Sequence, residues 1–202
     1  MNEMQRAQRH LSRRDAVLKK LIAAVGPCTL QPMPDRFVAL AGSIIAQQIS
    51  TKAATSIRTR LAEALNGLTP AAVVAATDEQ LRQAGLSAAK QRALRDLARR
   101  VHGGQLRLDD IHADDDEEVT ARLLPVCGIG PWTAQMFLIF ALGRLDVLPT
   151  ADLGLRAGVQ KHYGLEELPK PAKLEELTAP WQPYRSIGTW YVWRSLGPVP
   201  GK

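Results

Sequence analysis

Residues 123–152 read Leu-Leu-Pro-Val-Cys-Gly-Ile-Gly-Pro-Trp-Thr-Ala-Gln-Met-Phe-Leu-Ile-Phe-Ala-Leu-Gly-Arg-Leu-Asp-Val-Leu-Pro-Thr-Ala-Asp. Upstream, Asp115 or Asp116 can cap a helix whose first turn carries Glu117 and Glu118, where the helix dipole favours anions. That helix runs through Val119, Leu123 and Leu124 and ends at Pro125. Cys127-Gly128-Ile129-Gly130 then predicts a tight hairpin, whose two glycines can take positive φ at little cost. Pro131 suits the first turn of a second helix, since its missing N–H has no intrahelical partner to lose. The second helix runs from Trp132 to about Leu142 and stops at Gly143. Backbone N–H groups at such a helix start hold phosphate without any side chain. An ordinary turn between two core helices has the same spacing.

Working outward, helical periodicity fills the chain and no stretch alternates with period two, so the fold class is all-α. Residues 12–25 predict an amphipathic helix with Val17, Leu18, Leu21, Ile22 and Val25 on its apolar side, ended by Gly26-Pro27. Asp35 caps the next helix, which carries Phe37, Leu40, Ile44 and Ile45, and a further one spans Thr51 to Leu65. Thr77 and Gln80 form a capping box for a short helix ending at Gly85. A basic helix follows, with Lys90, Arg92, Arg95, Arg99 and Arg100 around Leu94, Leu97 and Val101. After Asp152, helices are expected at 153–163, 173–178 and 183–196. The last holds Trp190, Tyr191 and Trp193, too many aromatics for one core stripe, so at least one is expected to line a cleft.

The chain has 202 residues and a formal charge of +6, enough for a sizeable core and suited to a polyanionic partner. Residues 109–118 hold seven carboxylates and read as a solvated loop and helix start, which leaves the remainder still more basic. Cys28 and Cys127 are the only cysteines, and no Cys-x-x-Cys is present, which argues against a zinc site or a secreted disulfide framework. No apolar run reaches membrane-spanning length and no signal-peptide pattern opens the chain. The expected location is therefore cytoplasmic, with no membrane partner.

Leu124-(x)3-Gly128-Ile129-Gly130-x-Trp132-Thr133-Ala134, followed by Pro149-Thr150-Ala151-Asp152, resembles the helix-hairpin-helix DNA glycosylase superfamily, and Trp132-Thr133-Ala134 is similar to its AlkA branch of 3-methyladenine DNA glycosylases. The resemblance covers roughly residues 35–195 and departs from the family at Cys127, where a proline is usual. It implies a two-lobed helical fold with a cleft between the lobes. The central lobe would span 35–150, with the helix-hairpin-helix at about 116–142, and residues 1–34 and 151–202 would form the second lobe. The N-terminal β-domain of larger relatives is expected to be missing. The partner implied is double-stranded DNA containing alkylated bases, bound by a monomer that is nucleoid-associated if the source is prokaryotic.

The resemblance also distributes roles. Ala46-Gln47-Gln48-Ile49-Ser50 looks like the loop that fills the gap left by an extruded nucleotide, with Gln48 as the wedge and Gln47 as a supporting amide; exposed polar surface is the plainer reading of the pair. Gly128, Gly130, Trp132 and Thr133 would hold DNA phosphate, and the backbone of Val126 and Ile129 would hold a monovalent cation, Na⁺ or K⁺. The two cysteines leave no room for the four-cysteine iron–sulfur cluster of some relatives. Trp132 and Trp190 would form the base pocket, with Tyr191 and Trp193 as packing. Asp152, by its own context a helix N-cap, would be the catalytic carboxylate. Backbone N–H bonds favour its anion, which stabilises the cationic sugar formed as the N-glycosidic bond breaks. Relatives that also cut the strand carry a Schiff-base lysine where Trp132 stands, so base release without strand cutting is implied. A non-catalytic DNA-binding protein, or a glycosylase for another damaged base, would use the same scaffold.

Overall fold

The structure, a computed structural model, describes residues 2–197. Among the described residues are twelve α-helices and no strand. They are α1 (Glu3–Arg14), α2 (Ala16–Val25), α3 (Arg36–Ala46), α4 (Thr51–Ala64), α5 (Pro70–Ala75), α6 (Asp78–Gln83), α7 (Ala88–His102), α8 (Asp116–Leu123), α9 (Pro131–Phe140), α10 (Leu153–Tyr163), α11 (Pro171–Thr178) and α12 (Arg185–Ser195). None is long and apolar enough to cross a membrane. The chain divides into a central unit, residues 33–142, and a terminal unit, residues 1–32 with 143–202. Met1 and residues 198–202 of the expected second lobe lie outside the described residues.

The boundary falls at 142/143 rather than near 150, and hydrogen bonding shows why. Asp146 takes the Arg185 guanidinium at 2.8 and 2.9 Å, Ser186 N–H donates to Leu145 O at 2.9 Å, and Val147 N–H donates to Ser186 Oγ at 2.9 Å. The irregular segment before Asp152 is thus bound to the start of α12. Gly143 makes the turn with φ +68°, where a Cβ would come within 2.7 Å of Pro32. On the other side Met33 N–H donates to Phe140 O at 2.8 Å, which joins residue 33 to the central unit.

In the central unit α3 packs against α4, α7 and α9, burying Phe37, Leu40, Ile44 and Ile45. Asp35 caps it by accepting the Val38 N–H, as the sequence predicts. Thr77 and Gln80 form the expected capping box. Helix α5 is absent from the sequence-based expectations, although Thr69 at its N-cap and Pro70 at N1 mark its start. Asp115 is the cap of α8, in a capping box with Glu118. The acidic run is less solvated than expected: Arg122 pairs with Asp110 at 3.1 Å and with Asp114, and Arg107 pairs with Asp110 at 2.8 Å. The Arg122 hydrogen bond holds the Asp110 carboxyl below its ordinary range.

The terminal unit corrects two expectations. The predicted helix 12–25 is two helices, because Asp15 leaves helical geometry at φ −142°, ψ 115°. Its Oδ1 accepts the Val17 and Leu18 N–H groups at 2.8 and 2.9 Å, capping α2. Its Oδ2 accepts Trp181 Nε1–H at 2.9 Å and the Tyr163 hydroxyl. Burial, together with the Asp15 carboxylate, pushes the Tyr163 phenol well above its usual range. The second correction is α12, where every residue from Ser186 to Trp193 is buried. Trp190, Tyr191 and Trp193 therefore all face protein, because this helix has no solvent side along that run.

Asp15→Ala would remove the acceptor of four donors, among them the buried Trp181 indole and the half-buried Tyr163 hydroxyl. The expected loss is about 3 kcal/mol, combining a lost N-cap with unsatisfied buried donors. Urea unfolding followed by circular dichroism reads it; a loss below about 1 kcal/mol would show that the network does not hold α1 and α2 on this unit.

Candidate functional site

The hairpin lies in the central unit. Helix α8 ends at Leu123 with Leu124 as its C-cap, and Val126 N–H and Ile129 N–H donate to Leu123 O and Val126 O, each at 3.0 Å. Gly128 takes the left-handed turn at φ +77°, and a Cβ there would sit 3.0 Å from the Ala93 Cβ of α7. Gly130 does not share the expected positive φ. It is extended at φ −108°, ψ 179°, and serves as the N-cap of α9. Having no side chain, it leaves the first turn of α9 without a side-chain cap, the condition under which a helix start accepts an anion. Pro131 is the first residue of α9, Trp132 is 38% exposed, and Thr133 is buried.

Cys127, the departure from the usual proline, has a physical consequence. Its N–H donates to Asp96 Oδ2 on α7 at 2.8 Å, a bond that proline could not make. Asp96 also takes Arg100 Nε at 3.0 Å. The hairpin is thereby pinned to α7 through a charged acceptor.

The glutamine pair lies in the same unit, at the end of α3. Gln47 directs its Nε2 to Gly128 O at 2.8 Å and to Thr133 Oγ1 at 3.4 Å, joining its loop to both sides of the hairpin. Gln48 is exposed and stands at φ +59°, a left-handed conformation that few non-glycine residues adopt. Ile49 beside it is 37% exposed. Lys90, read from sequence as part of a basic face, instead donates Nζ to Ile45 O at 2.7 Å and so caps α3 directly behind this loop. Burial lowers its pKa.

Asp152 lies in the terminal unit and is the N-cap of α10. Its Oδ1 accepts Leu155 N–H at 2.6 Å and Trp193 Nε1–H at 2.8 Å. The tryptophan that reaches this carboxylate is therefore Trp193, which sequence reasoning assigned to packing. Trp190 is 4% exposed, edge-on to Tyr191 with centroids 5.0 Å apart, and carries the Arg194 guanidinium over its ring at 5.7 Å. Gly154 was also missed: a Cβ on it would lie 3.2 Å from Asp152 Oδ1 and 3.4 Å from Trp193 Cδ1. Nothing in the sequence marks Trp193 over Trp190, since both are buried faces of one helix. The Asp-x-Gly spacing of Asp152 and Gly154 is the only local signal of a crowded carboxylate.

A tight hairpin between two helices, with a glutamine loop bonded to it and a helix-capping aspartate further along the chain, is a helix-hairpin-helix arrangement. The chain belongs to the HhH-GPD superfamily of base excision DNA repair proteins, matching over residues 41–183. It is 31% identical over 193 residues to the alkylbase DNA glycosidase-like protein mag2 of Schizosaccharomyces pombe, covering 92% of this chain and 91% of that one. Its fold is similar to the S. pombe 3-methyladenine DNA glycosylase Mag1 in complex with abasic DNA, with a TM-score of 0.85, 29% identity, and coverage of 98% of this chain and 99% of that one. It is also similar to a DNA-3-methyladenine glycosidase from Bacillus halodurans, with a TM-score of 0.81, 34% identity, and coverage of 95% and 89%.

Asp96→Ala would delete the hairpin's charged acceptor. A hydrogen bond to a charged group contributes about 1.5–3 kcal/mol, and partial exposure reduces this one to about 1 kcal/mol. Amide exchange at Cys127 should accelerate about fivefold, as 1 kcal/mol requires; unchanged exchange would show that the hairpin does not depend on Asp96.

Proposed function

We propose that this protein is a monofunctional DNA glycosylase that removes alkylated purines, such as 3-methyladenine and 7-methylguanine, from duplex DNA. The observation that carries the reading is Asp152, a carboxylate fixed by a backbone N–H and an indole N–H on one oxygen. As the bond between C1′ and the base nitrogen lengthens, its electron pair goes to the base and positive charge builds on the sugar. A fixed anion stabilises that charge without reorganising. Water then adds to C1′ and gives up its proton. An N3- or N7-alkylated purine is cationic before it leaves and neutral afterwards, so no paired general acid is required.

The central unit would bind the DNA. The hairpin amides from Gly128 to Thr133 would hold a backbone phosphate, and a monovalent cation at the carbonyls of Val126 and Ile129 would add positive charge there. The Ile129 N–H takes one lone pair of Val126 O and leaves the second for such an ion. Gln48 would fill the space of the extruded nucleotide, offsetting part of the few kcal/mol that unstacking costs. Gln47, bonded to Gly128 and Thr133, would hold that wedge. Trp132, an exposed indole, would stack on the cationic base. Because residue 132 is not an amine, no Schiff base forms and an intact abasic site is the product. Trp190, covered by Arg194, is less suited to stacking than an exposed indole; Trp193 serves Asp152 instead.

Single-turnover excision from methylated duplex DNA tests this. Asp152→Asn should lower the rate by on the order of 10²-fold or more with duplex affinity retained. Full activity in that variant would sink the proposal. Trp193→Phe keeps an aromatic ring but deletes the N–H to Oδ1 and part of the buried indole's volume, and is expected to cost about tenfold in rate together with a lowered Tm, the rate being read well below that Tm. A wild-type rate would mean that the indole donor does not orient the carboxylate.

A further inference from the structure

Helix α7 borders a groove of about 1010 Å³ in the central unit, whose lining also includes Pro125 and Cys127 of the hairpin. Four arginines line it: Arg92, Arg95, Arg99 and Arg100. Two are neutralised in place. Arg95 pairs with Asp78 at 2.6 Å and also donates to Ala76 O at 2.8 Å, and Arg100 pairs with Asp96 at 3.0 Å. Arg92 and Arg99 are exposed, and among the described residues neither makes an ion pair. The lining therefore keeps a net charge of +2, four arginines against Asp78 and Asp96, and that charge is on Arg92 and Arg99. They are seven residues apart, so they lie on one face of α7 about 10.5 Å apart along its axis. A DNA strand advances about 3.4 Å per phosphate, so this spacing spans about three nucleotides.

We propose that this groove is a second DNA-backbone site, in which Arg92 and Arg99 take phosphodiesters flanking the one held by the hairpin. The proposal rests on the DNA-binding part of the function proposed above. Arginine forks bind phosphate bidentately, which suits them to this position better than lysine. Asp96 links the two sites mechanically, because one carboxylate receives both Arg100 of the groove and the N–H of Cys127 in the hairpin. Groove and hairpin thus present a continuous tract to one strand rather than two independent patches.

The test is binding to an unmodified duplex, followed by fluorescence anisotropy over about 50–200 mM salt, where each phosphate contact contributes about 0.9 to the slope of log K against log salt. The Arg92→Ala/Arg99→Ala variant should lose about 1.8 from that slope and bind about tenfold or more weakly at the low-salt end. Arg92→Lys/Arg99→Lys should keep most of the slope. Lys19→Ala/Lys20→Ala, which removes the same charge from exposed positions on α2, is the control. An unchanged slope in the alanine variant, or an equal loss in the control, would overturn the proposal. Failure of wild type to release any base would count against the glycosylase reading, while the slope comparison would still decide the groove.

Discussion

One oxygen, Oδ1 of Asp152, ends the loop before α10 and anchors the indole of α12. The constraint is mutual. The carboxylate cannot rotate without releasing both the Leu155 N–H and the Trp193 N–H, and Trp193 lies in a helix with no solvent-facing side from Ser186 to Trp193. Its position is therefore inherited from a helix that is buried throughout that run. The segment leading into it is fixed by the same helix, through Arg185 with Asp146 and Ser186 with Val147. Gly154 completes the arrangement, since a side chain there would press on both partners. In the function proposed above, a charge held this way would stabilise the developing cation without having to reorganise.

The central unit applies the same economy to backbone groups. Gly128 turns the chain, Gly130 leaves α9 uncapped, and two side chains brace the result: Gln47 from the loop after α3 and Asp96 from α7. The cysteine at 127 is not a weakened proline in this setting. It trades the rigidity of a fixed φ for an N–H that binds a carboxylate. Lys90, closing the end of α3, supports the same loop from behind.

Much of this was legible in the sequence. Caps carried the most information: Asp35, Thr77 and Asp152 cap their helices as the sequence predicts, and of the two candidates Asp115 and Asp116 it is Asp115 that caps α8. Glycines were less decisive. Gly128 and Gly143 have positive φ, but Gly130 needs only to lack a side chain. Asp15 misled because an acidic residue within a periodic pattern looks solvent-facing, and the indole and phenol that bury it lie about 150 residues away in sequence. The aromatic cluster misled for a related reason. Three large rings within four residues exceed one stripe, yet a helix enclosed on all sides accommodates them, and enclosure is a property of the neighbours. Which tryptophan meets Asp152 likewise depends on helix rotation, which periodicity cannot supply when every face is buried.

A monofunctional glycosylase hydrolyses an N-glycosidic bond and leaves the strand whole. Chromatographic identification of what wild-type protein releases from methylated duplex DNA, with strand integrity scored before and after alkali, addresses it most directly. The account predicts free methylpurine bases and strand breaks that appear only after alkali. Release of no base from any alkylated duplex, or strand breaks before alkali, would contradict it.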